Sequence, residues 1–199
     1  MRIILASQSP RRRELLERMG FSEFEIIPAR GEELATRTLT PDRLVEELSR
    51  RKCVEVSAAH PEALVIAADT LVAVNNRVLG KPGSEEDASR MLHTLSGRLH
   101  MVYTGVTVAC GGKLVTEHEM TSVRFRALSD ADIIRYIATG ESMDKAGAYG
   151  IQGYGCLLVE GITGDYYNVV GLPVCRLGRI LTSFGVDPLA LALQKEQEA

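Results

Sequence analysis

The order of apolar and polar positions predicts alternating strands and helices in the first half of the chain. Short apolar runs at residues 2–6 and 24–28 are typical of strands, and a longer run rich in Val and Ala spans residues 63–74. Helical periods follow Ser9-Pro10 and Thr40-Pro41, where a capping residue precedes a proline suited to the first helical turn. Strands that alternate with helices in this way indicate a sheet flanked by helices.

The second half predicts a meander of strands between further helices. Residues 100–110 alternate between apolar and polar side chains, and residues 113–127 continue with two strand-like stretches after a Gly-Gly turn. Two Ser-x-x-Asp sequences resemble capping boxes that begin helices, namely Ser84 with Asp87 and Ser129 with Asp132. A glycine-dense loop covers residues 140–155, and we expect a strand at residues 156–159 and a last helix near residues 173–184.

The fold class that these elements predict is α/β (α+β), with a mixed, twisted sheet flanked by helices. The chain has no internal repeat, low-complexity tract or linker-like boundary. We therefore expect a single domain over residues 1–199, in which residues 188–199 form a frayed tail. Its 199 residues, of which 45% are hydrophobic and 25% charged, are enough to bury a full core.

Charge and cysteine content narrow the class of partner. A net charge of -3 gives no general attraction to nucleic acid or acidic membranes, so we expect neither as a partner. No apolar run approaches the roughly 20 residues that cross a bilayer, and the first residues lack a signal-peptide pattern. The four cysteines form no CxxC pair, which favours reduced thiols over a zinc site or disulfides. We therefore expect a cytoplasmic protein.

The first candidate site lies at the predicted helix that follows Ser9-Pro10. Arg11, Arg12 and Arg13 occupy the helical turn where the helix dipole favours negative charge. A helix N-terminus offers unpaired N–H groups to an anion, and arginines with the hydroxyl of Ser7 would complete a phosphate site. The alternative is a solvated basic turn without a ligand.

The second candidate site is Asp69. A carboxylate that follows the apolar run 64–68 is costly to bury unless it is paired, hydrogen-bonded or metal-bound. A Mg²⁺ ion typically uses one or two carboxylates with substrate phosphates, and Asp69 with one of Glu32 or Glu33 would suit it. The alternatives are a strand-end cap or turn role for Asp69 and a solvated pair of loop acids for Glu32 and Glu33.

Lys81 and the glycine-dense loop are further candidates. Lys81 follows a turn and precedes a helix, where a cation can meet a phosphate, whereas Lys52 in mid-helix is typical of a solvated side chain. The glycines of residues 144–153 let backbone approach a ligand, on which Tyr149 would stack and to which Gln152 would hydrogen-bond. The alternative is a mobile surface loop.

The sequence has no GxxxxGK[ST], HExxH, GxSxG or strand-anchored GxGxxG motif, so ATPase, zincin, serine hydrolase and dinucleotide-binding functions lose support.

Six motifs occur in an order that is found in a known protein family. They are Leu5-Ala6-Ser7-Gln8-Ser9-Pro10-Arg11-Arg12, Ala68-Asp69-Thr70, Gly80-Lys81-Pro82, Leu95-Ser96-Gly97, Thr104-Gly105-Val106 and the DKAGAYGIQG run at residues 144–153. The matches continue through the NVVGLP run at residues 168–173 and so cover nearly the whole chain. On these motifs the chain resembles the Maf family.

The resemblance implies a nucleoside triphosphate pyrophosphatase that uses a divalent metal cation, Mg²⁺ or Mn²⁺, and releases a nucleoside monophosphate and pyrophosphate. It also implies an elongated, two-lobed fold around a central cleft, similar to the inosine triphosphate pyrophosphatases, and a homodimer. Arg12, Thr70 and Gln152, together with the unbroken DKAGAYGIQG run, resemble the branch associated with dTTP, UTP and related or modified pyrimidine nucleotides. The alternatives are the sister branch that prefers 7-methyl-GTP, and a non-catalytic nucleotide-binding regulator of septum formation and cell division.

The same resemblance assigns roles to single residues. It implies that Asp69 is the general base or holds the metal, and that Glu33 is a second metal or water ligand. The implied phosphate contacts are Ser7, Arg11, Arg12, Lys52 and Lys81, of which Lys81 is also catalytic. Thr70 and Gln152 complete the substrate-binding residues, with Gln152 at the nucleotide end of the cleft. A binder without turnover has little use for an acid beside phosphates, so Asp69 favours the enzyme.

Overall fold

The structure is a computed structural model that describes residues 1–31 and 39–198. Its strands are β1 (Ile3–Leu5), β2 (Glu25–Ile26), β3 (Leu64–Val74), β4 (Arg77–Leu79), β5 (Leu99–Cys110), β6 (Lys113–Phe125) and β7 (Val159–Thr163). Its helices are α1 (Pro10–Arg18), α2 (Pro41–Ala59), α3 (Glu85–Leu95), α4 (Asp130–Ala138), α5 (Tyr166–Val170), α6 (Val174–Thr182) and α7 (Pro188–Glu198). Short 3₁₀ turns at Ala146–Ala148 and Tyr154–Leu157 lie between α4 and β7.

A mixed sheet joins the strands in the order β2-β1-β3-β5-β6-β7, with β4 paired to β3. β1 runs parallel to β2 and β3, whereas the pairs β3–β4 and β6–β7 are antiparallel. β3 is almost continuously buried, so its sequence is apolar along its length instead of alternating. Asn75 and Asn76 join β3 to β4 with φ angles of 49° and 60°, the left-handed conformation of a tight hairpin turn. The predicted fold class is confirmed.

The chain divides into two compact units, each assembled from separate segments. Unit 1 consists of residues 1–69, 104–119 and 171–199, and unit 2 consists of residues 70–103 and 120–170. The chain therefore passes from one unit to the other within β3, β5 and β6, and once more after α5, between Val170 and Gly171.

Unit 1 has an apolar core formed by β1, β3 and α2. Its members are Ile4, Ala6, Cys53, Val56, Ala63, Val65, Ala67 and Ala109. Gly105 of β5 lets α2 come close, because a Cβ at that position would overlap the carbonyl oxygen of Val45. The thiol of Cys53 is buried and donates to the carbonyl oxygen of Val65 at 3.5 Å. Burial raises the pKa of this thiol to about 12, so it stays protonated at neutral pH.

Unit 2 has a separate core in which α3 and α4 pack together. Its largest fully buried side chains include Leu92, Leu95, Phe125 and Ile133. Both helices begin with a serine that caps the first turn, since Ser84 accepts the N–H of Asp87 and Ser129 accepts the N–H of Asp132. At α4 the carboxylate of Asp132 also accepts the N–H of Ser129, which completes the predicted capping box.

The structure corrects three expectations about secondary structure. Residues 113–125 form one long strand, β6, and not two stretches. The segment predicted as a strand at residues 156–159 is mostly a 3₁₀ turn, and β7 begins only at Val159. Periodicity cannot separate a short apolar strand from a helical turn of the same length.

The third correction concerns the expected tail. Residues 188–198 form α7, whose first N–H groups, those of Leu189 and Ala190, point to the carboxylate of Asp187 at 3.0 and 3.4 Å. The helix lies against Gly20, where a Cβ would overlap the backbone of Ala192. The missed signal was Asp187-Pro188, a capping residue before a proline, as at the start of α1. Within residues 1–31 and 39–198 no helix is long and apolar enough to cross a membrane.

Candidate active site

Asp69 is the last residue of the part of β3 that belongs to unit 1, and only 8% of its surface is exposed. Its Oδ1 accepts a hydrogen bond from the Nζ of Lys52, which reaches it from α2. The two side chains are 11% and 22% exposed, respectively, so the ion pair is largely withdrawn from water. The sequence indicated that a carboxylate after an apolar run needs a partner, and Lys52 is that partner.

Ser7 and Arg12 form a second polar contact in unit 1. Ser7 follows β1, and its hydroxyl oxygen accepts the N–H of Ser9 and Nη1 of Arg12, both at 3.2 Å. The Nε of Arg12 donates to the carbonyl oxygen of Gly171 at 2.8 Å. These bonds fix the guanidinium of Arg12 beside the hydroxyl of Ser7 at the start of α1.

Helix α1 begins in a way that suits an anion. Ser9 at its N-cap makes no side-chain capping bond, Pro10 opens it, and its first turn contains no acidic residue. Arg13 is compensated within the helix, because its Nε donates to Glu17 at 2.8 Å. Arg11 is half-buried in the same turn. The positive end of the helix dipole and the arginines of this turn favour a negatively charged group here.

The remaining predicted contacts, Thr70, Lys81 and Gln152, lie in unit 2. Thr70 is half-buried in β3, whereas Lys81 and Gln152 are exposed. The N–H of Gly147 donates to the carbonyl oxygen of Gly80 at 3.0 Å, so the turn that carries Lys81 lies beside the glycine-dense loop. Gly147 has a φ of +68°, and a Cβ there would lie 2.9 Å from Cγ2 of Val72 in β3. Close backbone approach thus brings together β3, the turn that carries Lys81 and the glycine-dense loop within unit 2.

Tyr149 belongs to the core and does not serve the ligand-stacking role that the sequence suggested. Its hydroxyl lies 2.9 Å from Nε2 of His100, and its ring packs edge-on against Phe125, with the ring centroids 4.7 Å apart. His100 is 1% exposed, and burial lowers its pKa to about 4. The aromatic contacts therefore anchor the loop immediately before Gln152.

Glu32 and Glu33 lie outside the described residues, so Glu33 stays a prediction. The segment just before them is held, since the N–H groups of Arg30 and Gly31 donate to the carboxylate of Glu55 at 2.6 and 3.0 Å. Within residues 1–31 and 39–198, no group of three or more His, Cys, Asp or Glu residues is placed to bind a metal. Mg²⁺ does not need such a group, because it keeps waters and takes substrate phosphates with one or two carboxylates.

Two features of this region were not found from the sequence. The pairing of Lys52 with Asp69 was missed, because a mid-helix lysine gives no sign of its partner in a following strand. Glu141 was also missed, although its carboxylate accepts the N–H groups of Tyr154 and Gly155 at 2.7 and 3.1 Å. The only available signal for Glu141 was its position at the start of a loop dense in glycine, where backbone N–H groups need acceptors.

Comparison with known proteins gives one consistent result. A family model described as Maf-like protein matches residues 2–184. The dTTP/UTP pyrophosphatase of Moorella thermoacetica is 54% identical over 188 residues, which cover 94% of this chain and 96% of that protein. The dTTP/UTP pyrophosphatase of Bacillus pumilus is 47% identical over 186 residues, which cover 94% of this chain and 98% of that protein.

A solved structure has a similar fold. The HAM1 protein from Coxiella burnetii superimposes with a TM-score of 0.54, covering 92% of this chain and 99% of that one. The two sequences are only 14% identical, so this likeness concerns the fold alone.

Proposed function

The chain belongs to the Maf family, and on that premise we propose that it is a nucleoside triphosphate pyrophosphatase that hydrolyses dTTP and UTP to the monophosphate and pyrophosphate. The activity named for relatives that are 54% and 47% identical over most of their length supports this proposal. The structural observation that carries it is the buried carboxylate of Asp69, which is paired with Lys52. A buried carboxylate that is held by a lysine on a strand is typical of a catalytic acid or base.

Asp69 acts as the general base in this proposal. A water molecule attacks the α-phosphorus, its proton passes to the carboxylate of Asp69, and pyrophosphate leaves. Lys52 holds Oδ1 and so orients the carboxylate, which makes it a partner of the base in addition to its predicted role as a phosphate contact. A base that is already positioned raises the rate because no reorganisation is needed during the reaction.

The remaining residues would bind and neutralise the substrate. Phosphoryl transfer depends mainly on positioning and on cations that stabilise developing negative charge. Arg12, Arg11 and Ser7 at the start of α1 would contact phosphate oxygens, and the exposed Lys81 would contribute a further cation. Thr70 and Gln152 would contact the nucleotide, with Gln152 at the base.

A divalent cation fits the donors of this site. Asp69 offers a hard carboxylate oxygen, which Mg²⁺ or Mn²⁺ prefers, and Glu33 is the predicted second ligand. When bound, the cation would supply charge neutralisation for the phosphates and lower the pKa of a bound water.

The same proposal includes a homodimer in the cytoplasm. Light scattering of the purified protein tests the oligomeric state.

Pyrophosphate release from a panel of nucleotides tests the function. The panel contains dTTP, UTP, CTP, the purine triphosphates, ITP and 7-methyl-GTP, each with Mg²⁺ or Mn²⁺. We expect cleavage of dTTP and UTP to the monophosphates. Preference for 7-methyl-GTP would assign the chain to the sister activity, and nucleotide binding without release from any member would favour the regulator of cell division.

A further inference from the structure

Unit 2 fixes the chain on both sides of Gln152. Before it, Tyr149 is buried against His100, and the N–H of Gly150 donates to the hydroxyl oxygen of Tyr136 at 3.1 Å. After it, the N–H groups of Tyr154 and Gly155 donate to the carboxylate of Glu141. The segment that carries the exposed Gln152 is thus anchored at each end by hydrogen bonds to its backbone.

Glu141 connects the two sets of anchors. Its Oε2 accepts from Tyr154, and its Oε1 accepts from Gly155 and from the hydroxyl of Tyr136, the last at 2.9 Å. Because the same hydroxyl accepts the N–H of Gly150, one chain of hydrogen bonds runs from Gly150 to Tyr154. Burial raises the pKa of Tyr136, which keeps its hydroxyl protonated and able to donate. Hydrogen bonds to an ionised carboxylate are stronger than those between neutral groups.

The hydrogen bonds of Glu141 to Tyr136, Tyr154 and Gly155 form what we call the clamp. Three glycines let the loop lie close to it. A Cβ at Gly153 would overlap the carboxylate of Glu141, and one at Gly155 would overlap the carbonyl oxygen of Gly150. A Cβ at Gly150 would lie 2.5 Å from Cε of Lys145. The Nζ of Lys145 in turn donates to the carbonyl oxygen of Glu141 at 2.7 Å, which ties the start of the loop to the same residue. The closeness of these contacts leaves the loop little freedom to shift.

We propose that Glu141 is a positioning residue that sets the choice of nucleotide base by holding the loop that carries Gln152. The inference rests on the proposed function, in which Gln152 contacts the base. Thymine and uracil present an N–H donor beside a carbonyl acceptor, and cytosine presents the reverse order. A glutamine side-chain amide has one donor end and one acceptor end, so it pairs with both kinds of base unless its orientation is fixed. The clamp fixes the backbone from which that side chain extends.

Glu141→Gln is the first test, because glutamine keeps the shape but replaces one acceptor oxygen with a donor. We expect KM for dTTP to rise about tenfold with kcat within about twofold, and the preference for dTTP over dCTP to fall by a similar factor. A merely structural loss of folded protein would lower kcat and leave KM unchanged. Tyr136→Phe, which breaks the link to Gly150, should change KM and base preference in the same direction. Glu160→Gln, the same chemical change at an exposed position on β7, is the matched control and should have no effect.

A double-mutant cycle tests whether Glu141 acts through Gln152. In the Gln152→Ala background, Glu141→Gln should cause no further loss of base preference. Independent, multiplicative effects of the two substitutions would overturn the proposal.

Hydrogen exchange separates this proposal from the proposed function, because it needs no turnover. The backbone amides of residues 150–155 should exchange faster in Glu141→Gln than in the wild type and in Glu160→Gln. Unchanged exchange would refute the clamp even in an active enzyme. Absence of pyrophosphate release by the wild type, together with faster exchange in Glu141→Gln, would refute the proposed function and its base selectivity but retain the clamp.

Discussion

Helices α1 and α2 of unit 1 begin without a side-chain cap, whereas α3 and α4 of unit 2 begin with a serine whose hydroxyl accepts a backbone N–H. The residue at the N-cap is polar in all four helices, so residue type alone does not decide the difference. The first turns of α3 and α4 contain acidic residues, while that of α1 contains arginines. Unit 2 completes its helix ends internally, and unit 1 leaves the end of α1 suited to an external anion.

The two units also hold their candidate functional groups by different means. In unit 1 the groups are ionic side chains bonded to one another or to a carbonyl, as in the pair Lys52–Asp69. In unit 2 the exposed Gln152 extends from a loop whose backbone is held on both sides. We infer that substitution of Asp69 should mainly change kcat, and that loss of the contacts that hold the Gln152 loop should mainly change KM.

The largest expected effect follows replacement of the base in unit 1. Asp69→Asn should lower kcat for dTTP by about 10²–10⁴, the contribution of a positioned general base, and leave nucleotide affinity nearly unchanged. Steady-state pyrophosphate release and direct nucleotide binding measure the two quantities. Asp130→Asn, at a side chain that is 88% exposed on α4 of unit 2, is the control and should match the wild type. An Asp69→Asn enzyme with undiminished kcat would remove Asp69 from the mechanism.

Replacement of Gly105 should have the next largest effect, on stability. An Ala at this position would overlap the carbonyl oxygen of Val45 and push α2 away from β5, so we expect a loss of about 3 kcal/mol in the free energy of unfolding. Gly161→Ala in β7 is the matched control, because no heavy atom lies within 4 Å of its Cβ position. Urea unfolding measures both variants. Equal stabilities would show that α2 has room to move.

His100 in the core of unit 2 should make stability depend on acid. Its pKa is lowered by burial to about 4 in the folded chain, below the 6.5 of an ordinary histidine. The unfolded chain therefore binds the proton first, and stability falls as the pH decreases from about 6.5 to 4, by on the order of 3 kcal/mol. In His100→Gln this part of the decline should disappear. Thermal unfolding at several pH values tests it, and an unchanged slope would rule out His100 as its source.

The smallest expected effect concerns the helix starts, namely that of α3, which has a side-chain cap, and that of α1, which has none. Ser84→Ala removes the acceptor for the N–H of Asp87 and should cost about 1 kcal/mol of stability, whereas Ser9→Ala removes no capping bond and should cost far less. Chemical unfolding of the two variants under identical conditions gives the difference. Equal losses would mean that the serine at α1 also acts as a cap in solution.

The sequence predicted most of the fold because its signals are local. Serine or threonine before a proline or a Ser-x-x-Asp pattern correctly predicted the starts of α1, α2, α3 and α4. The tail was predicted wrongly although Asp187-Pro188 carries the same signal. The error at residues 156–159 has another origin, since a four-residue apolar run is too short for its period to be determined.

The candidate site was less predictable because its partners are distant in the sequence. Asp69 drew attention through the cost of burying its charge, but nothing local indicates that Lys52 compensates it. The contact between Arg12 and Gly171 joins residues 159 positions apart. Lys81 and Gln152 were candidates from their sequence context and Thr70 from the resemblance, and the roles of all three remain predictions. Such contacts follow from the tertiary fold and not from local propensity.

The buried thiol of Cys53 is a natural probe for the unfolding of unit 1. A protonated thiol sealed in the core of unit 1 reacts with an alkylating reagent only after that core opens, whereas Cys156 and Cys175 are exposed and available at once. Under a pulse of reagent, Cys156 and Cys175 are modified in the folded protein, and modification of Cys53 then measures how often unit 1 unfolds. Mass spectrometry thus detects the opening of unit 1 through the mass that the reagent adds to Cys53.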